Sequence, residues 1–188
     1  MSNMLFNRNE LKILEEFGGD YSKKNYGRAI AKKLGFNQKT VSSILIKLEK
    51  ENILKFEQEG KNKYYFFNKL NPNIKDVTKI IELNKKIKFL NKHRKIKGLF
   101  DGLEQKTDGV LIIFGSYAKN QENKDSDLDV FVIGNIKDKK DLEDIYNIKI
   151  NIVKTKKEYS RENALFKEIM KDHIILKGIE EFVNLIKW

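Results

Sequence analysis

The sequence predicts an α+β protein with three successive parts: an N-terminal helical part that ends in a β-hairpin, a long linking helix, and a C-terminal small mixed β-sheet flanked by helices. Three observations predict this order. Apolar residues recur at helical spacing before residue 52, two short runs rich in Ile, Phe and Tyr follow, and apolar strand-like runs lie beyond residue 107. The predicted boundaries are residues 1–70, 71–107 and 108–188.

Three helices are predicted in the N-terminal part. The first covers residues 7–17, and the second covers residues 26–34 and ends at Gly35, a residue that readily adopts the left-handed conformation of a helix terminus. The third helix covers about residues 38–51, with Asn37 as its N-cap. The short second helix and the turn after it place the third helix in a helix-turn-helix arrangement.

Two strands are predicted after these helices, over residues 53–57 and 63–68, with a reversing loop over residues 58–62. Such a hairpin beside a helix-turn-helix is called a wing. Residues 26–54 resemble the winged helix-turn-helix of bacterial and archaeal transcription regulators, and the predicted wing agrees with that resemblance. The resemblance implies that this part binds DNA.

In that family the third helix enters the major groove, where its early exposed residues face base edges. The candidates for base contacts are Gln38, Lys39, Thr40, Ser42 and Ser43. The candidates for phosphate contacts, which position a domain and make its affinity fall with salt, are Lys47, Lys61 and Lys63. Glu57 and Glu59 make the wing less basic than a good phosphate clamp, so a winged helix that contacts protein is the open alternative.

The positive charge is unevenly distributed along the chain. The formal net charge of +11 divides into +6 for residues 1–70, +6 for residues 71–107 and −1 for residues 108–188. A polyanionic partner is therefore expected to bind the first 107 residues. A generally Lys-rich composition is the alternative explanation of the total charge, although it does not predict the asymmetry.

A single linking helix is predicted over about residues 74–104, because apolar residues are spaced there by threes and fours. Two basic runs, residues 85–88 and 92–97, lie along it. A solvated helix face is the ordinary explanation of such runs, and a second nucleic-acid contact or a homodimer contact is the alternative. His93 is predicted to lie on the surface of this helix.

Composition excludes several classes of chemistry. The chain has no cysteine, so disulfides, thiolate zinc sites and a cysteine nucleophile are excluded. The two histidines, His93 and His173, are far apart in sequence, so oxygen ligands are expected at any metal site; His173 is predicted to be structural. No stretch approaches the roughly 18 consecutive apolar residues that span a bilayer, and residues 1–10 contain no apolar signal segment, so a cytoplasmic protein without a membrane partner is expected.

Residues 109–133 contain a pattern that predicts a binding site for phosphate groups and a metal ion. An apolar strand is predicted over residues 109–114 and is followed by Gly115 and Ser116; after a spacer of ten residues, Asp127 and Asp129 open a second strand. A Gly-Ser turn at the start of a short helix offers backbone N–H groups and a hydroxyl to phosphates. Aspartates at positions i and i+2 of a strand point to one face, where both can hold a metal ion.

The run from Phe114 to Val132 resembles the signature of the minimal nucleotidyltransferase branch of the DNA polymerase β-type superfamily, and residues 167–178 resemble the tail that closes the sheet in stand-alone members. The resemblance thus covers residues 95–180. It implies a site that binds nucleotide phosphates through Gly115, Ser116 and Lys119. It also implies Mg²⁺ or Mn²⁺ as cofactor and ATP or another nucleoside triphosphate as substrate, with catalytic, metal-binding Asp127 and Asp129.

The sequence departs from the superfamily pattern at one position. Active members usually carry a third carboxylate on the next strand, which binds metal and accepts the proton of the attacking hydroxyl. Here that strand is predicted over residues 148–154, and Asn151 occupies the corresponding position as a metal ligand that cannot act as a base. Glu143 and Asp144, on a helix predicted over residues 137–146, are substitutes if the following loop turns them inward.

Two functional hypotheses follow. In the first, the protein binds DNA and transfers a nucleotidyl group, AMP from ATP, to a hydroxyl of a macromolecular partner; by analogy with stand-alone relatives it is an antitoxin that modifies a HEPN-type toxin. In the second, catalysis has been lost with the third carboxylate, and the protein is a nucleotide-sensing transcription regulator. A DNA polymerase is not expected, because 188 residues leave no room for fingers and thumb domains. The rest of the chain predicts a helix over residues 158–172, a short apolar run and a final helix that includes Ile186.

Overall fold

The computed structural model describes residues 6–19, 21–155 and 164–185. Its N-terminal helices are α1 (Arg8–Glu15), α2 (Gly27–Leu34) and α3 (Gln38–Lys50). Their ends follow local sequence signals. Asn7 and Glu10 form a reciprocal capping box at α1, Gly35 ends α2 with φ of 65°, and Asn37 Oδ1 accepts a hydrogen bond of 2.8 Å from the Lys39 N–H at the start of α3.

An antiparallel sheet completes the N-terminal unit. It contains β1 (Asn25–Tyr26), β2 (Leu54–Glu59) and β3 (Asn62–Phe67) in the order β1-β3-β2. The last pair of the β2–β3 register is Glu59 with Asn62, so the hairpin turns over Gly60 and Lys61 alone. The longer loop predicted over residues 58–62 was wrong, because Gly60, with φ of 58°, permits a tight two-residue turn between extended strands.

The predicted winged helix-turn-helix architecture is confirmed by this order of helices and strands. The apolar faces of the helices and of β2 and β3 form one core, in which Phe17 and Phe67 are fully buried with ring centroids 5.6 Å apart. Other side chains buried in this core are Ile13, Leu14, Ile30, Val41, Leu45, Leu48 and Leu54. The polar face of α3 is left exposed.

The linking segment contains two helices where one was predicted: α4 (Ile74–Lys92) and α5 (Lys97–Lys106), separated by a 3₁₀ turn over Arg94–Ile96. The chain divides into two compact units inside α4, between Ile81 and Glu82. The prediction of an exposed His93 was also wrong. Its side chain is only 8% exposed and packs 4.4 Å from the Phe89 ring, and the break in the helix directs it into the core.

The C-terminal unit is built on a mixed sheet with the strand order β6-β5-β4-β7. The strands are β4 (Thr107–Phe114), β5 (Leu128–Ile136), β6 (Ile150–Thr155) and β7 (Ile174–Lys177). β4 is antiparallel to both β5 and β7, whereas β5 and β6 are parallel. The remaining helices are α6 (Gly115–Ala118), α7 (Lys140–Tyr146), α8 (Ala164–Lys171) and α9 (Ile179–Leu185).

Both faces of this sheet are covered by helices. Leu111, Ile113, Val130 and Val132 belong to one core cluster with Leu99, Phe100 and Leu103 of α5. On the other face Phe131 packs against Phe166 of α8, with ring centroids 6.2 Å apart. The predicted class, a small mixed sheet flanked by helices, is confirmed, while the predicted helix start at residue 158 and Ile186 lie outside the described residues.

No helix within the described part of the chain is both long enough and apolar enough to cross a membrane.

Candidate functional site

The ends of β4 and β5 bring the Gly-Ser turn and the aspartates together. Phe114, the last residue of β4, pairs with Asp129 near the start of β5, so Gly115 lies beside Asp129. Gly115 has φ of 69°, and a Cβ atom at this position would overlap the Asp129 carboxylate. Only glycine therefore satisfies both the backbone conformation and the close approach.

Asn151 joins the two aspartates from the neighbouring strand. In the parallel register of β5 and β6, Asn151 pairs with Asp129, and its Nδ2 donates hydrogen bonds of 3.2 Å to Asp127 Oδ2 and of 3.2 Å to Asp129 Oδ1. Carboxylates only accept hydrogen bonds, so the amide nitrogen faces them. The three side chains that the sequence grouped are neighbours at one edge of the sheet.

A fourth group at this edge, Lys149, was missed by the sequence reasoning. Its Nζ lies 3.4 Å from Asp127 Oδ2, while its side chain is 70% exposed. Lys149 precedes Asn151 by two residues, so strand alternation would have placed both side chains on one face. Among the described residues, the site thus contains two carboxylates, one amide and one solvated ammonium group.

The donor set fits a hard divalent cation. Carboxylate oxygens and an amide carbonyl oxygen are the ligands that Mg²⁺ and Mn²⁺ take in proteins. Within the described part of the chain, the cationic side chain that pairs with the half-buried aspartates is Lys149. Over residues 6–19, 21–155 and 164–185, no cluster of three Asp, Glu, His or Cys side chains could hold a metal ion. The anionic ligands described at this site are therefore Asp127 and Asp129.

The Gly-Ser turn continues into the one-turn helix α6. The Lys119 N–H donates to Gly115 O at 3.1 Å, and the Gln121 N–H donates to Ser116 O at 2.9 Å. Ser116 is half-buried and Lys119 is exposed, so both are accessible to a ligand at this edge. Tyr117 points the opposite way into the core and is buried, which fixes α6 on the sheet.

Glu122 ties the spacer between Ser116 and Asp127 to the end of α4. Its Oε1 accepts a hydrogen bond of 2.7 Å from Lys92 Nζ and lies 3.9 Å from His93 Nε2. Burial raises the pKa of Glu122, but the hydrogen bond and charge of Lys92, a backbone hydrogen bond and the charge of His93 together outweigh burial and lower the pKa. Burial lowers the pKa of His93. Sequence reasoning missed this anchor, because no periodic pattern links residue 122 to α4.

Glu143 does not take the place of the third carboxylate. Its Oε1 accepts a hydrogen bond of 2.7 Å from the Ile150 N–H, and the same carboxylate pairs with Lys139. These two interactions lower the pKa of Glu143 and fix the start of β6. Asp144 is exposed on α7.

The side chains predicted to contact DNA bases form one exposed face of α3: Gln38, Lys39, Thr40, Ser42 and Ser43. The predicted phosphate-binding lysines differ among themselves. Lys61 is exposed at the hairpin turn, Lys63 Nζ lies 3.9 Å from the Phe56 ring centroid, and Lys47 Nζ bonds Glu10 Oε1 at 2.6 Å. Lys24 pairs with Glu57, so Glu57 removes less positive charge from the wing than the sequence suggested.

A family model described as "Nucleotidyltransferase domain" matches residues 93–187. The chain belongs to this nucleotidyltransferase family. The matched region contains the Gly-Ser turn, both aspartates and Asn151, so the residues that meet at the sheet edge are those of the family domain. A comparison with curated proteins gave no match.

Among solved structures, one similar chain is a solution NMR structure from Mycobacterium bovis. It is the homodimeric winged helix-turn-helix DNA-binding domain of a protein described as a possible ArsR-family transcriptional regulator. The sequence identity is 24%, the alignment covers 45% of the present chain and 70% of that chain, and the TM-score is 0.35.

Proposed function

We propose that the protein binds DNA through its N-terminal unit and that its C-terminal unit is a Mg²⁺-dependent nucleotidyltransferase. In this proposal it transfers AMP from ATP to a hydroxyl group of a macromolecular partner. The observation that carries the proposal is the grouping of Asp127, Asp129 and Gly115 at the edge where β4 ends and β5 begins. Membership of the nucleotidyltransferase family supports it.

Each site residue has a role in this proposal. Asp127 and Asp129 hold the divalent cation. Asn151 contributes its amide oxygen once its amide group turns over from the orientation in which Nδ2 faces the carboxylates. Gly115 and Ser116 bind the nucleotide phosphates with backbone N–H groups and a hydroxyl, while Lys119 offers a positive charge to the same phosphates. The cation, Mg²⁺ or Mn²⁺, would neutralise phosphate charge as the α-phosphorus is attacked.

The proposed DNA contact uses the exposed polar face of α3. Gln38 and Ser42 represent the side chains available to base edges, and Lys61 on the wing is available to phosphates. We propose a homodimer as the DNA-binding form, since many winged-helix proteins recognise two half-sites. A contact between α3 and another protein is the alternative that a DNA-binding assay tests.

The proposed biological setting is a toxin–antitoxin pair, in which the acceptor is a hydroxyl of a HEPN-type toxin. This setting comes from the resemblance to stand-alone minimal nucleotidyltransferases.

A second function is favoured by Asn151 itself. An amide cannot accept a proton at neutral pH, so the residue that joins Asp127 and Asp129 cannot activate an acceptor hydroxyl. A protein that binds a nucleotide without transferring it would act as a nucleotide-sensing transcription regulator, with the C-terminal unit as the sensor.

A transfer assay separates the two functions. The pure protein is incubated with Mg²⁺, ATP labelled at the α-phosphate and a lysate of the source cells, with the double variant Asp127→Ala, Asp129→Ala as control. Label on a macromolecule with the wild type alone establishes transfer and isolates the acceptor. Mg²⁺-dependent ATP binding without transfer supports the regulator, and absence of ATP binding contradicts both functions.

The DNA part is tested with the same double variant. We expect it to retain wild-type DNA affinity, because the substitutions lie in the other compact unit. A substitution on the exposed face of α3, Gln38→Ala with Ser42→Ala, is expected to weaken sequence-specific DNA binding by at least about tenfold. Unchanged affinity in that variant would exclude α3 as the recognition helix.

A further inference from the structure

We infer that Asn151 limits this site to a single divalent cation. The inference rests on the proposed nucleotide site and concerns how many ions that site holds. It starts from the position of Asn151 in the parallel register, directly beside Asp129, and from its contacts of 3.2 Å to both aspartates. The oxygen ligand that Asn151 contributes therefore determines whether a second divalent cation can bind on the β6 side of Asp127 and Asp129.

Two adjacent ions in a phosphoryl-transfer site lie about 3.5–4 Å apart and share bridging carboxylates, and each ion also needs oxygen ligands of its own. Asp127 and Asp129 can hold one ion together with nucleotide phosphate oxygens. A second ion on the β6 side would depend on Asn151, whose single amide oxygen is neutral. Mg²⁺ gives up water reluctantly, and a neutral oxygen compensates that loss less well than a carboxylate does.

Lys149 also disfavours a second cation. Its ammonium group lies 3.4 Å from Asp127 Oδ2, so the residue just before β6 brings a positive charge to the side where a second cation would bind. The Lys149 side chain is largely exposed, so water weakens this repulsion, and Asn151 remains the main determinant.

The absence of a carboxylate at position 151 also affects the transfer of the nucleotidyl group. An acceptor oxygen that attacks the α-phosphorus forms a new P–O bond, the bond to the bridging oxygen breaks, and pyrophosphate leaves. The proton of the acceptor hydroxyl must move to a base, and Asn151 cannot take it. Transfer at this site therefore needs a proton acceptor other than Asn151, and Asn151→Asp would supply both a ligand and a proton acceptor.

The test uses Mn²⁺ in place of Mg²⁺ and electron paramagnetic resonance in place of activity. The full-length protein is saturated with Mn²⁺ and an ATP analogue that carries a methylene group between the α- and β-phosphates. Two Mn²⁺ ions within about 4 Å give an exchange-coupled spectrum, whereas one ion gives the six-line spectrum of an isolated ion. The wild type is compared with Asn151→Asp and with Asn91→Asp, which adds the same charge at an exposed helical position.

We expect an uncoupled spectrum from the wild type and from Asn91→Asp, and a coupled spectrum with about twice the bound Mn²⁺ from Asn151→Asp. A coupled wild-type spectrum would overturn the inference, and so would an uncoupled spectrum from Asn151→Asp that binds the analogue with wild-type affinity. If the wild type binds no Mn²⁺ with the analogue, the proposed function fails and the inference fails with it. Far-ultraviolet circular dichroism checks that each variant folds.

Discussion

The two units treat their carboxylates differently. In the N-terminal unit Glu10 is 3% exposed, and both of its oxygens have donors: Lys47 Nζ at 2.6 Å and the Asn7 N–H at 3.0 Å. In the C-terminal unit Asp127 and Asp129 share one neutral amide donor and lie beside one solvated lysine. The difference suggests a criterion: a structural carboxylate is compensated inside the fold, whereas a carboxylate proposed to bind a ligand has only weak or solvated partners.

Glu82 extends the comparison into the C-terminal unit. It is fully buried, its oxygens accept hydrogen bonds of 2.9 and 3.1 Å from Lys85 Nζ, and Oε2 lies 3.2 Å from His173 Nε2. His173 Nδ1 lies 3.1 Å from Met170 O. The C-terminal unit therefore pairs its buried carboxylate with cationic or polar partners. Asp127 and Asp129 differ from Glu82 in this respect.

The largest effect is expected from Glu82→Gln. Removing one partner of a buried ionic group leaves Lys85 and His173 with a neutral neighbour, and we expect the free energy of unfolding to fall by about 3 kcal/mol. Urea unfolding of the full chain measures the change, with the exposed substitution Asp144→Asn as control. A loss below about 1 kcal/mol would mean that Glu82 is not a structural carboxylate in the sense used above.

The pH dependence of stability tests whether the charge of Glu82 stabilises the fold. Burial raises the pKa of Glu82, but Lys85 and His173 outweigh burial and lower the pKa from 4.5 to about 2. Because the folded pKa lies below the ordinary value, the stabilisation is complete above about pH 4.5 and is lost as the pH falls through about 2. We expect the stability difference between wild type and Glu82→Gln to shrink over that range, as urea unfolding at several pH values would measure. A pH-independent difference would contradict this.

A smaller effect is expected from Glu10→Gln. Burial raises the pKa of Glu10, but the bonds from Lys47 and the Asn7 N–H lower it overall, so the group is charged and structural. Lys47 is about half exposed, and we expect a loss of about 1–2 kcal/mol, since the capping box weakens and a charge-assisted hydrogen bond is lost. Thermal unfolding measures it against Glu59→Gln on the exposed wing. A loss of stability equal to that of Glu59→Gln would contradict a structural role for the Glu10 carboxylate.

The smallest change in stability, with the opposite sign, is expected from Asp129→Asn. The substitution removes one of two adjacent negative charges, so the free energy of unfolding should rise by up to about 1 kcal/mol without metal ions. Unfolding in the presence of a chelator measures this, with Asn91→Asp as a surface control. A loss above about 1 kcal/mol would indicate that Asp129 is structural.

Part of this molecule could be predicted from the sequence because local rules decide it. The i, i+2 alternation of strands places Asp127 and Asp129 on one face, and the Gly-Ser turn must follow the strand that ends at Phe114. The position of Asn151 opposite them follows from matching the start of one apolar strand with the start of the next. Caps such as Asn37 are equally local, since a side chain and an N–H two residues away form them.

The rest depends on packing between distant segments. The apolar spacing of residues 74–104 continues through His93, so it cannot show that the chain leaves the helix there and buries the imidazole. The Lys92–Glu122 anchor and the His173–Glu82 contact join residues far apart in sequence, and no periodicity signals them. Sequence alone therefore predicted which side chains meet at this edge of the sheet, but not the ion pairs around them.

The central claim is that Asp127 and Asp129 hold a cation that recruits a nucleotide, and isothermal titration calorimetry tests it most directly. ATP is titrated into the wild type and into Asp127→Asn with Asp129→Asn, each with Mg²⁺ and with chelator. We predict binding to the wild type only with Mg²⁺, and at least about a hundredfold weaker binding to the variant, which corresponds to roughly 2.7 kcal/mol. Equal ATP affinity in all four titrations would contradict the claim.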